Sequence, residues 1–189
     1  PNIPGAKKYN KSYNYPLSRG KWDALEGGLR VPLIIAGPGI ASGNESQVPV
    51  SGSDILPTIK DLAGKSNFKL NKIDGGSFKS ILMDPTKEKV KRDVDGIFFH
   101  VPYKNGIALK RPHSAVRKGD FKLVKFQDNG ELFLYNISLD KEESVNLISR
   151  NPKKTKELEK LLVNYLKEVH APKWQEGITW KKTPLNKIN

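Results

Sequence analysis

A single lysine stands at the start of the most chemically suggestive stretch of this chain. The run is Gly20-Lys21-Trp22-Asp23-Ala24-Leu25-Glu26-Gly27-Gly28-Leu29-Arg30-Val31-Pro32, in which Lys21 lies between a glycine and a tryptophan, ahead of a Glu-Gly-Gly turn. Glycines allow backbone to approach a neighbour or a ligand closely, and α/β enzymes hold ligands in loops at strand ends. Lys21 is therefore a candidate contact for an anion. Taken alone, the same residues also describe a surface lysine followed by an ordinary tight turn. The second candidate is His100, within Phe98-Phe99-His100-Val101-Pro102-Tyr103. His113 and His170 read as surface residues.

The bulk charge agrees with an anionic partner. Lys and Arg number 33 against 20 Asp and Glu, a formal net charge of +13. Such an excess favours nucleic acid, an anionic surface or an anionic substrate, although a solvated lysine coat produces the same count. The chain has no cysteine, which excludes disulfides, a Cys nucleophile and thiolate metal sites. No His/carboxylate cluster is legible, so no metal site is expected within the chain. No apolar run is long enough to span a membrane.

The elements that must position Lys21 and His100 follow from periodicity. Residues 31–36, an apolar β-branched run closed by Gly37-Pro38-Gly39, predict a buried strand whose sheet neighbours come from elsewhere. A helix is expected over residues 53–63, capped by Ser53, with Pro57 in its first turn, Gly64 at its end, and Ile55, Ile59, Leu62 and Ala63 on one face. Phe78, Ile81, Leu82 and Met83 form a short apolar segment, and residues 86–92 read as a charged linker. The pattern then turns to strands at 96–100, 114–117, 121–126 and 131–136, with Asn129-Gly130 as a hairpin turn. A long helix follows, with Asn151 as cap, Pro152 in its first position, and a stripe of Leu158, Leu161, Leu162, Tyr165, Leu166 and Val169. The tail, with Trp174 and Trp180, is expected to wrap the surface. The predicted class is α/β, becoming α+β towards the end: residues 1–85 form the edge of a large mixed sheet, and residues 86–189 a small antiparallel sheet packed by the last helix.

Taken in order, these motifs resemble the sulfatase family, within the alkaline-phosphatase-like superfamily. The run Gly-Lys-x4-Glu-Gly-Gly-x-Arg-Val-Pro is similar to the family's second signature. Ser53-Asp54-Ile55-Leu56-Pro57-Thr58-Ile59, Asp74-Gly75-Gly76-Ser77 and Ser114-Ala115-Val116-Arg117-Lys118-Gly119-Asp120-Phe121-Lys122-Leu123 resemble segments that follow it. So does Leu134-Tyr135-Asn136, with Glu142 and Asn146-Leu147. The similarity covers roughly residues 18–170.

The resemblance implies a sulfate-ester hydrolase acting on a sulfated small molecule or polysaccharide. Its nucleophile is a formylglycine made from Cys or Ser, and a calcium ion helps to orient the sulfate. No serine here lies in the Cys/Ser-x-Pro-Ser-Arg motif, so nucleophile and calcium ligands are expected upstream, in an N-terminal catalytic portion outside this chain. This chain alone is expected to bind no calcium and to be inactive. The resemblance makes Lys21 the catalytic and substrate-binding lysine that contacts the sulfate oxygens, a role suited to a compact ammonium. It places His100 at the pocket rim; the alternative is a half-buried strand histidine bonded to backbone. Glu26, Gly27, Gly28 and Arg30 build the turn. An exported setting (periplasmic, secreted or lysosome-like) is expected.

Rival classes remain open from the residues alone. A basic nucleic-acid-binding module has the charge but no recognisable motif, so no nucleic-acid partner is expected. A carbohydrate-binding accessory domain would use Trp174 and Trp180. A phosphodiesterase or phosphonate hydrolase of the same superfamily is the nearest rival.

Overall fold

The computed structural model describes residues 14–40, 42–64, 73–104 and 111–174. Two compact units emerge. One joins Pro1–Val31 to Phe98–Asn189, and the other is Pro32–Ile97. The divisions between these units fall after Val31 and after Ile97. The Lys21 segment belongs with the small sheet, because polar side chains of that sheet hold it.

The sheet has four strands in the order β1 (Ile97–Val101), β2 (His113–Lys118), β3 (Phe121–Phe126) and β4 (Leu132–Asn136). The pairs β2/β3 and β3/β4 are antiparallel, with Val116 opposite Leu123 and Leu123 opposite Leu134. The Asn-Gly turn between β3 and β4 forms as expected, with Gly130 at φ +74°, in the left-handed region that glycine enters at no steric cost.

Side chains alternate across a strand, and here both faces are covered. Val116, Leu123 and Leu134 pack under helix α4 (Pro152–Glu168) against Leu158 and Leu162, all five fully buried. Burying each such leucine contributes roughly 1.5–3 kcal/mol. Lys125 on this face reaches Glu159 at 2.7 Å, and Phe98 stacks on Tyr165 with ring centroids 3.7 Å apart. Pro152 opens α4 as expected, but Asn151 makes no side-chain cap bond. The opposite face carries Ala115, Val124, Phe126, Phe133 and Tyr135, packed on Ala24 and Leu25 of the lysine loop. Lys122 falls on this face too. A residue that a polar–apolar alternation would assign to water is fully buried.

The second unit is built around Phe78, Ile81 and Val90. Its helices are α2 (Ile55–Leu62) and α3 (Lys79–Met83). Asp54 is its polar hub. Its carboxylate accepts the Ser51 N–H at 2.7 Å and the Gly76 N–H at 2.8 Å, and pairs with Arg92 at 2.6 Å. Despite burial, the Arg92 hydrogen bond and the two backbone donors hold its pKa below the ordinary carboxylate value. Residues 86–92 are thus no linker: Val90 enters the core and Arg92 closes the hub. The helix starts from a 3-10 turn at Gly52–Asp54 rather than from a Ser53 cap. Gly64 ends it at φ +67°.

Residues 31–36 differ from the expectation. They are not assigned to a strand, and Val31, Leu33 and Ile34 are 76%, 51% and 90% exposed. A strand exists only where its N–H and C=O groups meet a neighbour, and no neighbouring strand is present among the described residues. The stripe on α2 is likewise uncovered, with Ile55, Leu56, Ile59 and Leu62 exposed. Trp180 and the final lysines lie outside the described residues.

Candidate functional site

Lys21 is exposed and sits at the apex of a loop whose flanks are buried. Its Nζ lies 5.3 Å from the centroid of the neighbouring Trp22 ring. Arg19 and Trp22, on either side, adopt φ +65° and +89°. Side-chain-bearing residues rarely adopt such angles, and each costs on the order of 1–3 kcal/mol and persists only where its surroundings enforce it. The turn of helix α1 (Glu26–Leu29) lies flat against the backbone of residues 18–23. The Gly27 N–H donates to the Ser18 carbonyl at 2.8 Å. A Cβ on Gly27 would collide with the Ser18 and Arg19 carbonyls, and one on Gly28 with those of Gly20 and Asp23. The Glu-Gly-Gly turn is therefore a close backbone approach.

Polar contacts enforce the strained loop. Arg19 and Asp23 form an ion pair at 3.0 Å, with both side chains almost wholly buried. Burial nonetheless raises the Asp23 pKa, opposed by the Leu25 N–H and by Arg19. His113, on β2, accepts the Ala24 N–H on Nε2 at 2.9 Å and donates from Nδ1 to the Arg111 carbonyl at 2.7 Å. Those two bonds define one neutral tautomer. Burial pushes its pKa down to about 4, and the cations Lys122, Arg19 and Arg111 add to the effect. His113 is thus no surface residue. His170 is exposed, as expected.

Beneath the turn lies a buried ionic group. Lys122 Nζ is 3.1 Å from Glu26 Oε1 and 2.8 Å from Glu143 Oε1. Glu143 Oε2 accepts the Glu26 backbone N–H at 2.7 Å. Arg117 approaches Glu26 at 3.5 Å from the rim. Burial raises the Glu143 pKa to about 6, with Lys122 opposing that rise. Glu143 itself is held at φ +51°.

His100 belongs to the same compact unit as Lys21 but is engaged elsewhere. On β1 it is half-buried, and its Nε2–H donates to the Pro172 carbonyl at 2.8 Å. That fixes Nδ1 as an acceptor, met by the Ser114 hydroxyl at 2.9 Å. Burial lowers its pKa. Gln127 completes the group, donating to Ser114 at 2.9 Å and accepting the Trp174 N–H at 3.1 Å.

The loop-holding residues His113, Lys122 and Glu143 were not legible as such. Each lies about 90 or more positions from its partner, and no local spacing encodes such a pairing. No group of three His, Cys, Asp or Glu side chains among the described residues is arranged to hold a metal ion. The carboxylates that belong to the Lys21 loop or hold it are already committed: Asp23 to Arg19, and Glu26 and Glu143 to Lys122. They do not fit a calcium site. No helix among the described residues is long and apolar enough to cross a membrane.

Known proteins match this architecture. A family model described as N-sulphoglucosamine sulphohydrolase, C-terminal, matches residues 21–172. A sulfatase of Formosa agariphila is 32% identical over 148 residues, which is 74% of this chain and 26% of that protein. Arylsulfatase K of Danio rerio is 30% identical over 171 residues, 86% of this chain and 32% of its own. The chain therefore spans about a quarter to a third of the length of these curated relatives. Among solved structures, Ps i-CgsB in complex with k-i-k-neocarrahexaose superposes with a TM-score of 0.66 at 24% identity, covering 85% of this chain and 34% of that one. A 2-O GAG sulfatase superposes with a TM-score of 0.54 at 24% identity, covering 72% and 29%. At that identity the likeness concerns the fold, and it extends to the four-stranded sheet and its helices. With a family model spanning most of its length, this chain belongs to the sulfatases, as a member of the N-sulphoglucosamine sulphohydrolase C-terminal family.

Proposed function

We propose that this chain forms the C-terminal part of a hydrolase of sulfate esters on carbohydrates, and that Lys21 is its contribution to the reacting centre. One observation carries the assignment to Lys21: an exposed ammonium at the apex of a strained loop whose flanks are buried and bonded. Sulfuryl transfer places negative charge on the leaving oxygen and the non-bridging oxygens. A fixed ammonium lowers the barrier if it meets that charge more closely in the transition state than in the bound substrate. At about 4 Å in a partly shielded site, such a contact is worth roughly 4 kcal/mol before desolvation is subtracted.

The remaining parts are assigned to the upstream portion of the polypeptide. A formylglycine there would supply the nucleophile and a calcium ion would supply positive charge for the sulfate; among the described residues of this chain none is arranged to hold the ion. The exposed apolar residues of this chain, Ile34 and Ile59 among them, are the surfaces that the upstream portion would cover. Carbohydrate esters are favoured by the net charge of +13, and by relatives of this fold solved with a sugar ligand or named as a GAG sulfatase. His100 is the second proposed substrate contact. To reach an ester, its ring has to exchange the Pro172 carbonyl for a substrate oxygen.

The test is kinetic. The full-length protein is assayed on 4-nitrophenyl sulfate, on sulfated mono- and oligosaccharides, and on the matching phosphate diesters. Hydrolysis of the sulfated sugars, lowered roughly 10²- to 10³-fold in kcat by Lys21→Ala, supports the reading. Turnover of the phosphate diesters without the sulfates overturns it.

A further inference from the structure

Lys21 has no buried side chain of its own to set its position, so its placement depends on what holds residues 23–26. Two of those holds come from the sheet face that the loop covers and from the segment that follows β4. Lys122, fully buried on β3, spans the carboxylates of Glu26 and Glu143 at 3.1 and 2.8 Å. Glu143 returns through its second oxygen to the Glu26 backbone N–H at 2.7 Å. These atoms form a closed circuit: loop carboxylate, sheet ammonium, second carboxylate, loop amide.

A buried ion group is a poor source of stability, because desolvation offsets most of the Coulomb attraction and a well-packed apolar set of equal volume often does as well. What such a group does supply is direction. The Lys122–Glu143 contact is a close ion pair rather than an aligned hydrogen bond, and a buried charge that leaves its counter-charge is left uncompensated, whereas apolar contacts tolerate sliding. Here the direction is imposed on a turn two to five residues from Lys21, with Trp22 between them in the left-handed region and Arg19 in it on the other side of Lys21.

We propose that Lys122 and Glu143 are positioning residues for Lys21: through Glu26 they fix the loop so that the ammonium is already aimed at the sulfuryl oxygens before substrate binds. The inference rests on the sulfatase reading for what Lys21 touches, but not for the geometry. Neither residue contacts substrate. They act by holding the reacting lysine in place, where an error of about 1 Å can cost 10²-fold in rate. Their loss therefore appears in kcat more than in KM.

The experiment uses the full-length enzyme and a double-mutant cycle. Lys122→Met removes the bridging charge. Glu143→Gln keeps a neutral acceptor for the Glu26 N–H, and serves if the first variant does not fold. At equal folded fraction by circular dichroism, each variant is expected to lose about 10-fold or more in kcat, with KM changed less than about threefold. Lys21→Ala is then expected to cost much less in either background than in the wild type, because a misplaced lysine has less to lose. Full additivity, or wild-type kcat in a folded variant, overturns the proposal. Amide exchange supplies a readout independent of activity. In Glu143→Ala, the Glu26 amide is expected to exchange at least about 10-fold faster while amides of β3 and β4 stay protected. A Glu26 amide as protected as in the wild type overturns the proposal. A wild-type enzyme with no sulfatase activity overturns the functional reading instead, and the exchange result still decides the positioning.

Discussion

The imidazole of His113 accepts the backbone N–H of Ala24 at 2.9 Å, joining the second strand of the sheet to the lysine loop across 89 positions of sequence. Because Nδ1–H is directed at the Arg111 carbonyl, the ring must stay neutral. A proton on Nε2 would set two donors against each other.

That requirement has a pH signature. Burial holds the folded pKa of His113 at about 4, below the ordinary histidine value of 6.5, so the unfolded chain takes up the proton first. The stability linked to His113 is complete above pH 6.5 and is lost as pH falls towards 4, by about 3 kcal/mol at most. Glu143 works in the opposite sense: its folded pKa is raised to about 6, so its ionisation removes stability as pH rises from about 4.5 through 6. Denaturant unfolding of wild type and His113→Gln between pH 4 and 7 separates the two, since Glu143 is common to both. The wild type is expected to lose its advantage over the variant on acidification; a constant difference would contradict the assignment.

Lys21 and a surface lysine are expected to behave differently. Lys153 is exposed on α4. In the full-length enzyme, Lys21→Ala should lower kcat by roughly 10²–10³ with little change in Tm, whereas Lys153→Ala should leave both within about twofold and 1 °C. Equal effects would mean that general surface charge, not a site residue, is being measured.

The isolated chain of 189 residues is expected not to hydrolyse 4-nitrophenyl sulfate, with or without calcium. It has no cysteine and no serine in the formylglycine motif, and the carboxylates that belong to the Lys21 loop or hold it are paired to cations. Turnover by rigorously purified chain, abolished by Lys21→Ala, would relocate the reacting centre into these residues.

Core and exposed leucine-class positions offer a stability contrast. Leu162 is fully buried under the sheet, while Ile59 is 56% exposed. Leu162→Ala is expected to cost about 2–5 kcal/mol wherever it is measured. Ile59→Lys should cost about 1–3 kcal/mol in the full-length protein, where upstream residues are proposed to cover it, against about 0.5 kcal/mol for an uncovered surface site. Urea melts of the full-length variants distinguish the two; a negligible effect of Ile59→Lys would mean that nothing packs on α2.

Local patterns determined much of this protein. The strands at 113–136, the Asn-Gly turn at Gly130, the stripe of α4 and the stop at Gly64 are consequences of period, turn chemistry and capping, which act within a few residues. The ordered motifs around Lys21 carried the family, and the Glu-Gly-Gly turn carried its own steric reason once the backbone approach was seen. Other features depended on partners far away in sequence. Residues 31–36 have the composition of a strand but no strand to pair with here, and a ladder needs two sides. Lys122 alternates like a surface residue, yet the face it occupies is covered by the lysine loop, so burial and ion pairing replaced water. His113 changed from an exposed ring to the acceptor of a loop amide for the same reason. Periodicity states which side a residue faces; only tertiary packing decides what lies on that side.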